Sequence, residues 1–240
     1  MTEFIREFRR ITGIMRLTYE QKTSECNVIF GFFQRFCVLA DIATDIYHVE
    51  GARVPYYVCS LSVRNYLEMQ ACLLEGAYHS AVRSLRWLYE ANLVGATSCI
   101  NPALLGDRVS DKPAMELEEF EDLLKRIDTG VRIDRKKIFD SFSLPTDDLQ
   151  KLYSDLCKYV HLSTVSFDKT LDFPNLQYVP EKFDEIFPTI MKTLDLVFWM
   201  ESKMCLCYDR GTSEALLYYV KDHDGLNKYV PMTISLISNL

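Results

Sequence analysis

The sequence predicts an all-α fold: a multi-helix bundle of about seven helices in a single domain spanning 1–240. Three observations lead there. Apolar residues recur every three or four positions in one segment after another. Only 9 Gly and 8 Pro occur in 240 residues, too few for a barrel or sandwich built from many tight turns. Apolar residues make up 48% and charged residues 25%, the balance of a globular chain rather than a disordered or rod-like one.

The elements follow in order. Residues 2–20 set Phe4, Phe8, Ile11 and Met15 on one helical stripe. Residues 22–49 are apolar on more than one face (Ile29, Phe30, Phe33, Phe36, Cys37, Ala40), as in a helix buried within a bundle. A break at Gly51 to Pro55 precedes helices over 56–75 and 77–99, divided at Gly76. The 101–146 region concentrates charge and turn residues and reads as a peripheral insertion. Inside it, 114–128 is a helix stopped by Gly130, and 134–142 is a short helix with Asp134 as its N-cap. Pro145 and Thr146 start a helix with Leu149, Leu152, Leu156 and Val160 on its apolar side. Residues 181–209 repeat the pattern, and Pro188 within them predicts a kink or a helix start. A last clear helix is expected over 213–222. The apolar tail 226–240, with Val230, Thr233, Ile234 and Ile237, fits either a helix or a strand pairing with a partner. The segments 22–49, 56–75, 77–99, 147–162 and 181–209 are the expected core.

Charge and targeting narrow the function classes. A net charge of −7 disfavours a surface that grips nucleic acid everywhere, though it permits a local basic patch. Met1 to Arg6 lacks the apolar core of a signal peptide. Apolar runs such as Leu196 to Met200 fall far short of the roughly 18 residues that span a bilayer. A cytoplasmic protein without a membrane partner is expected. The 8 cysteines form no CxxC and have no histidine at zinc spacing, so they read mainly as small buried hydrophobes. GxGxxG, P-loop, GxSxG and HExxH motifs are absent, and no cofactor or metal is expected. Glu75 and His79 have i,i+4 spacing and no second copy, unlike the paired ExxH of a di-metal bundle. Arg132 to Lys137 reads as the solvated face of a short helix.

Two stretches carry possible chemistry. On a helix over Glu75 to Asn92, His79, Arg83, Arg86 and Glu90 fall within about 60° of one another, opposite Ala81, Leu85 and Leu88. Arg86 and Glu90 are spaced to pair. The ridge fits a surface salt-bridge ladder, a partly buried network tying helices together, or an anion or nucleotide site. In the second stretch, Ser154, Lys158 and His161 share one face, flanked by Tyr153 and Cys157. His161 fits a solvated helix-end histidine, a catalytic or phosphate-facing one, or a polar partner of the arginine ridge.

The helix bearing Arg83, Arg86, Leu88 and Glu90, followed by the helix Tyr153-x-x-Leu156-Cys157-x-x-x-His161, resembles the HEPN-like helical bundles. It is closest to an uncharacterised branch with an R-x-L-x-E helix and a later Y-x-x-L-x-x-x-x-H helix. The resemblance covers residues 60–165. It implies that His161 faces Arg83 and Arg86. Active members place an arginine a few residues before the histidine and dimerise into a metal-independent ribonuclease site. Here Asp155, Leu156 and Cys157 stand at those positions, so the implied polar site is degenerate unless Arg83 or Arg86 supplies the charge.

Three functions are therefore expected in order. The first is a non-catalytic module that homodimerises and binds a protein or nucleic-acid partner. The second is a HEPN-type ribonuclease in a toxin or anti-phage setting, with His161, Arg83 and Arg86 catalytic. The third is a bundle binding a small anion or nucleotide through His79, Arg83, Arg86, Glu90, Ser154, Lys158 and His161.

Overall fold

The computed structural model describes residues 2–49, 53–105, 117–128, 133–160, 176–208, 229 and 231–238. Every regular element among them is helical. The α-helices are α1 (Thr2–Gln21), α2 (Thr23–Asp45), α3 (Arg53–Leu74), α4 (Tyr78–Ile100), α5 (Leu117–Asp128), α6 (Arg135–Ser141), α7 (Thr146–Val160), α8 (Pro180–Leu206) and α9 (Pro231–Ser238). A 3-10 turn, Pro102–Leu105, follows α4. Nine α-helices stand among the described residues where about seven are expected; the short α6 lies within the helix expected over 134–142, and α9 makes the described part of the tail a helix rather than a strand.

The core lies where α3, α4 and α8 meet, with α2 packed on α3 and α8, and α7 on α4 and α8. Phe36 of α2 joins it, its ring 5.5 Å from Tyr66 of α3 and 5.9 Å from Phe198 of α8. The Tyr66 hydroxyl donates to the Ile29 carbonyl, which gives that buried phenol a partner. Gly95 allows close contact at the centre. A Cβ there would stand 2.9 Å from Val58 Cγ2 and 3.0 Å from Met204 Sδ.

Local signals explain the ends of several helices. Gly76, at φ +76°, closes α3 in a Schellman motif: Ala77 N donates to Cys72 O at 2.8 Å and Gly76 N to Leu73 O at 3.2 Å. Asp134 caps α6, its carboxylate accepting from Lys137 N at 3.1 Å. α8 begins at Pro180 and runs through Pro188, which sits on its exposed side. α3 starts at Arg53, so Pro55 lies in its first turn rather than in the break before it. The 101–146 stretch supplies Phe120, Ile138 and Phe139 to the core, while most of the charges among its described residues face outward.

α2 is long and apolar enough to cross a membrane by length and composition, with a mean hydropathy of 1.4 over 18 residues. Gln34 and Arg35 interrupt its apolar runs, and a helix packed within a bundle core passes the same test. The tail is resolved as helix over Pro231–Ser238. The helix expected over 213–222, Gly130 and His161 lie outside the described residues. The cysteines are all free thiols: Cys26, Cys59 and Cys205 are buried, and Cys207 is exposed.

Candidate functional site

The α4 ridge and α7 meet, and a polar network closes between them. Glu90 Oε1 accepts from Tyr153 OH at 2.8 Å, Arg135 Nη2 at 3.1 Å and Arg86 Nη2 at 3.3 Å. Arg135 Nη2 also lies 2.9 Å from Tyr153 OH. The Arg135 guanidinium sits 3.7 Å from the Tyr153 ring centroid, a close cation–π contact, and the Arg86 guanidinium lies 5.9 Å from it. Three helices are thereby joined: Glu90 and Arg86 from α4, Arg135 from the first turn of α6, and Tyr153 from α7. Apolar packing fixes the arrangement, with the Tyr89 ring 5.4 Å from Tyr153 and 6.4 Å from Phe139.

Burial gives the network its electrostatic character. Arg86, Arg135 and Glu90 side chains are 20%, 18% and 13% exposed, so their attraction is far less screened than on an open surface. Burial opposes the Arg86 charge, but Glu90 and Tyr153 outweigh it and hold the guanidinium above its ordinary range. Burial first, then Cys157 and Glu90, raise the Tyr153 phenol well above its usual pKa, so it stays protonated and donates. Two guanidiniums share one carboxylate, which leaves an excess of positive charge. The buried Nε atoms of both arginines have no hydrogen-bond partner.

The network borders a cleft of about 580 Å³ along α4, whose lining sets the guanidiniums of Arg83 and Arg86 beside the carboxylates of Glu68 and Glu90. Arg83, Arg86, Trp87 and Glu90 line it, with Asn65 and Glu68 contributed by α3. Arg83 is exposed, and Trp87 is 37% exposed. The cleft thus offers a free guanidinium, a fixed one and an aromatic face, the groups that hold a phosphate and a stacked base.

The expected site residues separate into groups. Arg83, Arg86 and Glu90 share the cleft, and His79 is half-buried on the same helix. Ser154 is exposed, and Lys158 pairs with Asp155 at 2.5 Å. The α7 residue that reaches the arginine ridge is Tyr153, a flanking position in the sequence pattern. Arg135 is the other member that sequence reasoning missed. Its basic run suggests a solvated face, and only its place directly after the Asp134 cap aims it back at α4. The approach of His161 to Arg83 and Arg86 lies outside the described residues.

Other polar groups are buried in the core. Glu201 of α8 is fully enclosed, and neither carboxyl oxygen has a hydrogen-bond partner. Asn92 donates to Ser62 Oγ at 2.8 Å and to Leu88 O at 3.0 Å, but its Oδ1 is unpartnered. Among the described residues, no group of three or more His, Cys, Asp or Glu side chains is placed to hold a metal ion. No family model, no curated protein and no solved structure matches the chain.

Proposed function

We propose that the protein is a non-catalytic helical module whose α4 cleft binds a phosphate-bearing partner, either a nucleotide or a strand of nucleic acid. The observation that carries this reading is the cleft itself, with exposed Arg83 and half-exposed Trp87 beside an Arg86 that Glu90 already holds in place. A phosphate is recognised by guanidinium forks, and a base stacks on an indole. The HEPN-like kinship of residues 60–165 belongs to the same proposal. Its support is the packing of the Arg86–Glu90 helix on the Tyr153 helix, which continues in sequence toward His161. A homodimer is also proposed, because Ile5, Leu17 and Tyr19 of α1 and Phe30 of α2 remain exposed.

The test uses the 2 tryptophans of the chain. Trp199 is 5% exposed, so quenching by a stacked base reports on Trp87. Adenosine and guanosine nucleotides and short single-stranded RNA, titrated at low salt, are expected to quench the emission. Trp87→Phe abolishes that signal, and Arg83→Ala weakens binding about tenfold. Absence of both quenching and thermal stabilisation at millimolar ligand rejects the reading. RNA cleavage in EDTA that is lost in His161→Ala would replace it with the ribonuclease. Light scattering reads the dimer directly.

A further inference from the structure

On the other side of the bundle, one carboxylate stands between two claimants. Asp195 of α8 is 1% exposed, and it accepts from Met232 N at 3.0 Å, Thr233 N at 3.2 Å and Thr233 Oγ1 at 2.8 Å. Those donors belong to the first turn of α9, so a residue of α8 supplies the cap that α9 needs. Arg35 of α2 packs beside Phe198, three residues along α8 from Asp195. It is 1% exposed, its guanidinium carbon is 6.0 Å from the Phe198 ring centroid, and Nε, Nη1 and Nη2 all lack a hydrogen-bond partner. A buried guanidinium with no hydrogen bond is strongly disfavoured. Asp195 is the anion that acts on it electrostatically.

The fit of α9 to the bundle is incomplete. Among its described side chains Thr233 and Leu236 are buried, and Met232 and Ile234 are partly buried against the core. Clefts remain on both of its flanks. One, of about 500 Å³, is bordered by Phe142, Trp199 and Leu236; the other, of about 420 Å³, by Leu152, Phe187 and Met191. Both reach Pro231 and Met232. An eight-residue helix is too short to be stable alone, so α9 relies on these contacts and on its polar staple, and such units open separately from the core.

We propose that α9 is a releasable latch: Asp195 is held by the first turn of α9 when the latch is closed and by Arg35 when it is open. The open state gives the buried guanidinium the partner it lacks and joins the two clefts into one apolar trough along α8. Access to that trough is then set by competition between α9 and Arg35 for one carboxylate. This goes beyond the α4 cleft and does not depend on it.

Hydrogen exchange on the full chain, read by mass spectrometry, tests the latch. The amides of 231–238 are expected to exchange at least about tenfold faster than the central amides of α8. Arg35→Met removes the claimant of the open state and is expected to slow exchange of 231–238 about tenfold, the effect of one charged hydrogen bond. Arg35→Gln has the same sign and guards against a folding failure of the first variant. Thr233→Val weakens the closed state and speeds exchange there, leaving α8 unchanged. An Arg35 with only a structural role would leave the latch unchanged or looser on removal. That result, or exchange of 231–238 in step with α8, overturns the proposal.

Discussion

Tyr153 is bound on both its edge and its face: its hydroxyl meets Glu90 and Arg135, and its ring carries the Arg135 guanidinium. Removing the hydroxyl leaves the cation–π contact intact and takes away one donor to a half-buried carboxylate. Tyr153→Phe is therefore expected to destabilise the fold by about 1–2 kcal/mol, measured by urea unfolding. It should also loosen Arg86, which shares Glu90, so that an Arg86→Ala change costs less in the Tyr153→Phe background than alone. Additive losses would show that the network is not a unit. Part of this site is legible in the sequence. Arg86 and Glu90 are four apart on one helix, and local spacing alone predicts their pairing. Tyr153 and Arg135 lie far from them along the chain, and helical periodicity sets only the face each occupies on its own helix. Which neighbour covers that face is decided by packing: Tyr89 and Phe139 draw in the Tyr153 side of α7, and Ser154 is left exposed.

The α3–α4 hairpin depends on a single backbone position. Gly76 has the left-handed φ that ends α3, and a Cβ there would overlap the carbonyl of Gln177. Segment 176–179 is fixed against this corner by other bonds as well: Arg10 Nη1 donates to Leu176 O at 2.6 Å, and Val179 N donates to Tyr78 OH at 3.0 Å. Strain and overlap act together in Gly76→Ala, so a loss of about 3 kcal/mol or more is expected by urea unfolding, with the α1 contact to Leu176 weakened in parallel. A loss below about 1 kcal/mol would mean that the segment shifts aside easily. Such helix ends are the most legible features of this fold. Gly76 and Asp134 mark their boundaries because the capping chemistry is local. A helix start at Pro188 is not what forms, because the apolar stripe of α8 continues on both sides of it. Tertiary burial of Phe183, Ile186, Ile190 and Leu194 carries the helix through the missing hydrogen bond.

At the scale of the molecule, α3, α4 and α8 enclose an acid. Ser62 and Cys59 of α3 and Asn92 of α4 face Glu201, with Cys205 one turn further along α8. No cation is among these neighbours. Burial, opposed only by those polar groups, pushes the Glu201 carboxyl up to about 8 from 4.5, so the folded protein holds it protonated at neutral pH. A neutral carboxyl can donate as well as accept among these buried polar groups. The folded state therefore binds this proton more tightly than the unfolded chain does. Stability is fully present below about pH 4.5 and falls as pH rises toward 8, by at most about 1.4 kcal/mol per pH unit. Asp195 has the same sign, but its pKa moves only from 3.8 to about 6, so the window above pH 6 belongs to Glu201. Glu201→Gln keeps the shape, offers an amide to the same polar neighbours and cannot ionise. Its unfolding free energy is expected to match the wild type near pH 5 and to exceed it increasingly between pH 6 and 8. Parallel curves across that interval would show that the central carboxyl is already charged, and that the bundle tolerates a bare anion at its core.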